Sequence, residues 1–109
     1  ELDVMWQLVI RDGGRAVLHR ISQYLRDQVT YWNRWVGALQ NTSLPLAFIW
    51  GAQDPIVGAD VAKVHHSEAT GSKLSLLEGV GHYPMLEAPD RWTTSFLSLQ
   101  ESLSKRAGS

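Results

Sequence analysis

The chain has 109 residues, the size of one domain or part of one, and its 44% apolar and 19% charged residues exclude wholesale disorder and low-complexity architectures. Ten Lys plus Arg against eleven Asp plus Glu leave a net charge of -1, which supplies no field for a polyanion, so nucleic acid is not an expected partner. The absence of cysteine excludes a disulfide framework, a thiolate zinc site and thiol chemistry.

No apolar run approaches the roughly 18 to 20 residues of a spanning helix, and no basic-then-apolar leader opens the chain, so a soluble, cytoplasmic protein without a membrane span is expected. Residue 1 is Glu rather than Met, and helical patterning begins almost at once, which suggests a fragment of a longer chain.

From Leu2 to Ile10 the apolar residues fall at mostly helical spacing, and Asp12-Gly13-Gly14 breaks the pattern. Ala16, Val17, Leu18, Ile21, Tyr24 and Leu25 then recur at three and four residues, which predicts an amphipathic helix. A further stripe, Tyr31, Trp32, Trp35, Val36 and Leu39, ends at the polar run Gln40-Asn41-Thr42-Ser43. The first 40 or so residues are therefore predicted to be helical.

Leu46-Ala47-Phe48-Ile49-Trp50, bounded by Pro45 and Gly51, reads as a strand buried on both faces. Residues 59–69 predict a helix ended by Gly71, and Lys73 to Leu77 a second strand. About two dozen residues separate the strands, enough for the crossover that parallel pairing requires. The fold class is therefore α/β, with two parallel strands (about 46–51 and 73–77) and flanking helices. Pro89 suits the first turn of a last helix, whose face is marked by Trp92, Phe96, Leu99 and Leu103, and the last six or so residues of the chain are expected to fray. Two strands cannot bury both faces and both edges of such a sheet, so exposed apolar surface is expected.

Two loops follow the carboxyl ends of these strands, the edge where open α/β sheets hold their ligands: Gly51-Ala52-Gln53-Asp54-Pro55 and Glu78-Gly79-Val80-Gly81-His82-Tyr83-Pro84. In a parallel pair both open on one edge, so Asp54 and His82 can meet. A carboxylate on one imidazole nitrogen sets the tautomer and stabilises the imidazolium, which leaves the other nitrogen as a general base.

The run from Leu46 to Pro55, followed at this distance by Gly79-Val80-Gly81-His82-Tyr83-Pro84-Met85-Leu86-Glu87-Ala88-Pro89, resembles the C-terminal part of an α/β-hydrolase fold enzyme. In that family the acid follows the penultimate strand and the histidine the last, so the resemblance implies Asp54 as acid and His82 as base. It implies residues 1–40 as the end of a lid or cap with the helix returning to the sheet, and residues 41–109 as the C-terminal strand-helix-strand-helix part of the core, together one incomplete domain. The stretch from Arg34 to Leu39 is similar in wording to mesoderm-specific transcript-like hydrolases. The likeness is close over residues 30–103, looser before them, and covers roughly the last third of a complete hydrolase.

The family's nucleophile sits on an elbow of the form G-x-S-x-G, or with Asp in place of Ser, and precedes acid and histidine. No serine here has glycine at both minus two and plus two, so the nucleophile and oxyanion hole are expected outside this sequence, in the remaining N-terminal part of the same hydrolase. The 109 residues alone are expected to be inactive, and ester, epoxide and haloalkane substrates all stay open. Tyr83 and Met85, beside His82, are candidate substrate contacts. Trp6, Trp32, Trp35 and Trp50 read as core or lid packing, with one or two lining a pocket for a small hydrophobic substrate.

No cofactor or metal is expected. Gly79-Val80-Gly81 opens like a dinucleotide fingerprint, but Pro84 holds the third glycine position. His65 and His66 point about 100° apart on a helix with no third ligand and read as a solvated face. Asp54 before Pro55 is also ordinary turn chemistry, and Glu87 before Ala88-Pro89 reads as a carboxylate complementing a helix dipole. Two rival readings are a non-catalytic binding or scaffold protein with hydrolase-like architecture, and a small independent α/β interaction domain.

Overall fold

The computed structural model describes residues 2–107, which divide between Gly37 and Ala38 into two compact units. The first is all helical. Helix α1 (Leu2–Ile10) ends in a 3-10 stretch, Arg11–Ala16, where Asp12 and Gly13 take left-handed dihedrals (φ 52° and 76°) and stop the helix where the Asp-Gly-Gly run predicts. The single amphipathic helix expected beyond it is instead two short pieces, α2 (Leu18–Ile21) and α3 (Tyr24–Thr30), followed by α4 (Trp32–Asn41). Neither α2 nor α3 buries a residue, so no packed face holds them continuous.

The second unit is a parallel α/β arrangement. Strand β1 (Ala47–Gly51) pairs with β2 (Lys73–Leu77), Ala47 opposite Lys73 and Gly51 opposite Leu77, and α5 (Ala59–Glu68) makes the crossover. Phe48 stacks on His65 of α5, with ring centroids 6.4 Å apart, while Ser75, paired with Ile49, hydrogen-bonds Ser95 of the last helix, α7 (Pro89–Ala107). Successive strand residues point to opposite faces, so α5 and α7 cover opposite sides of the sheet. Ala62, Ala69, Leu77 and Val80 form the buried core of this layer.

The strands correct one expectation. Phe48, Ile49 and Trp50 are half-buried, because a two-stranded sheet gives each strand one paired edge only. Apolar surface is correspondingly exposed, with Leu44 at 72% and Ile56 at 69%. Of the last six residues of the chain, expected to fray, 104–107 instead continue α7 to Ala107, while Gly108 and Ser109 lie outside the described residues. Its half-buried stripe runs Trp92, Ser95, Leu99 and Leu103, while Phe96 stacks on Trp92 and stays 45% exposed. A one-turn helix that the sequence pattern did not signal, α6 (Pro84–Glu87), follows the histidine loop. No helix among the described residues is long and apolar enough to cross a membrane.

Candidate active site

The two loops beyond the strands extend the sheet's hydrogen bonding. Ala52 N–H donates to Leu77 O (3.0 Å) and Gln53 N–H to Val80 O (3.0 Å), so the acid loop and the histidine loop leave the sheet edge side by side. Gly51 makes that approach possible: a Cβ there would lie 2.0 Å from Gly81 O and 2.5 Å from Val80 O. Gly79, at φ +73°, turns the second loop through a region that residues with side chains rarely adopt.

This arrangement brings Asp54 and His82 together, with His82 Nδ1 2.9 Å from Asp54 Oδ2. The acid's side chain is 4% exposed and the histidine's 32%. Asp54 Oδ1 accepts the N–H groups of Ile56 (2.8 Å) and Val57 (3.0 Å), so the turn chemistry expected of Asp-Pro and the contact to histidine coexist in one carboxylate. Trp50 secures the turn from the strand side, its indole N–H donating to Val57 O at 2.9 Å. Withdrawal from water works to raise the Asp54 pKa. The Val57 N–H, the hydrogen bond to His82, the Ile56 N–H and the charge of His82 outweigh it, and the carboxyl titrates below its ordinary value. An anionic Asp54 accepts Nδ1–H and leaves Nε2 as the remaining basic nitrogen of the ring.

Beside the pair is a small cleft of about 140 Å³, lined by Ile49, Trp50, Gly51, Asp54, His82, Pro84 and Met85. Met85 therefore sits in its wall. Tyr83 lies edge-on to the His82 ring, with centroids 4.9 Å apart, and is 42% exposed. Of the tryptophans, Trp50 lines the cleft, whereas Trp6, Trp32 and Trp35 are 43% exposed or more and not core. Trp6 instead lies 6.0 Å from the Arg15 guanidinium, and Trp35 packs against Tyr31.

Two residues that the sequence reading did not assign to the site hold the loops in place. Gln53 donates from Nε2 to Glu78 Oε2 (3.1 Å) and accepts the Gly79 N–H at Oε1, bridging the acid loop to the histidine loop. Glu87 accepts the Gly81 N–H at Oε2 (2.7 Å) and the Tyr83 N–H at Oε1 (3.0 Å), so its carboxylate hydrogen-bonds the histidine loop in addition to standing near a helix start. Nothing local distinguishes Gln53. Glu87 stood in the sequence only as a carboxylate near a helix start, and nothing local showed that it reaches back to the histidine loop.

His65 and His66 are half-buried rather than solvated, because His65 stacks on Phe48 of β1 and His66 bonds Ser72. His66 Nδ1 is 2.8 Å from Ser72 Oγ, and that hydroxyl donates to His66 O at 3.1 Å. With its only proton spent on a carbonyl, Ser72 accepts from the imidazole, so this contact closes the end of α5 and is not arranged for nucleophilic activation. No group of three or more His, Asp or Glu among the described residues is placed to hold a metal ion.

The chain is 31% identical over 99 residues to "Putative hydrolase LipZ" of Mycobacterium tuberculosis, a match covering 91% of this chain and 34% of that protein. It is 31% identical over 104 residues to the mesoderm-specific transcript protein of Mus musculus, covering 94% of this chain and 31% of that one. Identity to the Homo sapiens homologue is 29% over 104 residues. The chain thus spans about a third of the length of the curated relatives it matches. No family model matches it, and no solved structure does. The similarities support a hydrolase-like relationship.

Proposed function

We propose that Asp54 and His82 are the acid and base of a nucleophile-acid-histidine site in an α/β-hydrolase, whose nucleophile and oxyanion hole come from residues outside this sequence. The observation that carries the reading is the 2.9 Å contact from His82 Nδ1 to an almost fully buried carboxylate, whose other oxygen is held by two backbone N–H groups. In this reading residues 1–40 are the end of a cap and the helix returning to the sheet, residues 41–109 are the last part of the core, and the 109 residues alone turn over no substrate.

With a serine nucleophile, His82 Nε2 takes the hydroxyl proton as the oxygen adds to the substrate carbonyl. The imidazolium returns that proton to the leaving alkoxide, and the same nitrogen then deprotonates the water that hydrolyses the acyl-enzyme. With an aspartate nucleophile, Nε2 deprotonates the water that cleaves an alkyl-enzyme ester. Asp54 stabilises the imidazolium in both. The apolar walls that Ile49, Trp50 and Met85 give the cleft support a small hydrophobic substrate, with Met85 and the neighbouring Tyr83 as its contacts.

The test is hydrolysis of esters, epoxides and haloalkanes by the complete protein that carries this sequence, with Asp54→Asn and His82→Ala alongside. Activity on one class, reduced about 10³-fold or more by each substitution, is the expected result. Wild-type inactivity on all three classes would overturn the reading in favour of a hydrolase-like scaffold that binds without catalysis.

A further inference from the structure

His82 lies in a loop that has few side chains to hold it, since Gly79 and Gly81 precede it and Tyr83 is exposed. Asp54 holds the ring at one nitrogen, Nδ1. A base must nevertheless be held to within about half an ångström of its working position, so the backbone beneath the ring has to be anchored.

The anchors form a continuous series. Arg91 Nη1 donates to Glu78 O (2.8 Å), Gln53 Oε1 accepts Gly79 N–H, Gln53 N–H donates to Val80 O, and Glu87 accepts both Gly81 N–H and Tyr83 N–H. Glu87 takes the N–H groups of the residues before and after His82, one on each carboxylate oxygen. One helical turn brings it there: Pro84 opens α6, Glu87 N–H donates to Tyr83 O at 2.9 Å, and the Glu87 side chain returns to Tyr83 N–H. The lack of a side chain at Gly81 gives the carboxylate access, since a Cβ there would lie 3.0 Å from both oxygens.

We propose that Glu87 is a positioning residue for His82, clamping the Val80–Gly81 and His82–Tyr83 peptides so that Nδ1 meets Asp54 and Nε2 meets the reacting group. The inference rests on the catalytic reading above for its effect on turnover, and on geometry alone for its effect on the Asp54–His82 hydrogen bond. Charge-assisted bonds from a carboxylate to two N–H groups are the stronger class, and a shorter or neutral side chain cannot reproduce both.

The experiment follows the proton on His82 Nδ1 by NMR in the complete protein labelled with [15N]histidine. The resonance is assigned by its loss in His82→Ala and is expected to disappear in Asp54→Asn as well. Glu87→Ala should speed its exchange with water about tenfold and lower kcat about tenfold at little-changed KM, with Glu87→Gln, which keeps one acceptor, falling between. Wild-type exchange in a folded Glu87→Ala protein would overturn the proposal. Should Glu87→Ala fail to fold, Glu87→Gln decides: accelerated exchange supports the clamp and an unchanged rate overturns it. A protein that hydrolyses nothing overturns the catalytic reading, while the Nδ1 proton still decides the role of Glu87.

Discussion

Gly51 and Gly81 meet backbone to backbone at the sheet edge, so closely that a Cβ on Gly51 would stand 2.0 Å from the carbonyl oxygen of Gly81. This contact sets the spacing between the acid loop and the histidine loop, and Gly51 itself is buried. Gly51→Ala must push the loops apart, at an overpacking cost of about 1–3 kcal/mol. Chemical denaturation should register that loss, and the same variant should weaken the His82 Nδ1 proton signal. A melt and spectrum indistinguishable from wild type would contradict the spacing role.

Gly79 makes a different demand. Its φ of +73° is strained for any residue with a side chain, although a Cβ there would meet nothing within 4 Å. Gly58, at φ -56°, has equal space and no such restriction. Gly79→Ala should therefore cost about 1 kcal/mol, and Gly58→Ala should stay within about 0.5 kcal/mol of wild type. Paired denaturant titrations compare them, and equal effects would mean that backbone conformation is not what selects glycine at 79.

The pH dependence of stability should carry the signature of Asp54. Its carboxyl titrates below the ordinary value in the folded state, so the unfolded chain binds its proton first as the pH falls. The stabilisation is complete above the unfolded carboxyl pKa, about 3.9, and is lost as the pH drops through the lower folded value. Unfolding free energies of wild type and Asp54→Asn, measured from pH 6 to pH 2, should therefore converge at the acid end. A constant difference across that range would sink the assignment.

Gln53 couples the loops through its side chain, and Gln53→Ala removes the acceptor for Gly79 N–H and the donor to Glu78. Both groups are exposed and find water, so the stability cost should be modest, about 0.5–1.5 kcal/mol. Gln53→Glu should be worse than Gln53→Ala, because it sets a second carboxylate against that of Glu78. Thermal melts at low and high salt separate the two, since repulsion between exposed charges is screened.

Ser72→Ala offers a control at the Ser72–His66 contact. The hydroxyl is buried, accepts from His66 Nδ1 and donates to His66 O, so its removal should cost about 1–2 kcal/mol. Hydrolysis by the complete protein should be unaffected below the melting temperature. Loss of turnover in a folded Ser72→Ala protein would show that the contact at the end of α5 reaches the site.

Much of this was legible in the residues alone. The apolar runs of β1 and β2, bounded by Pro45, Gly51 and Gly71, and the length between them determined a parallel strand-helix-strand unit, because strand and crossover both have local signatures. The same logic placed Asp54 and His82 on one edge, where the structure finds them in contact. The amphipathic pattern from Ala16 to Leu25 predicted one helix where the structure has two short ones, since such a pattern is realised only when something covers the apolar face. The half-burial of β1 and the exposure of Trp6, Trp32 and Trp35 likewise depend on which surfaces are covered, and no local pattern records that. What only tertiary structure decided is how the pair is held. Gln53 and Glu87 act on peptide groups, and a backbone N–H carries no mark in a sequence to show which side chain will reach it.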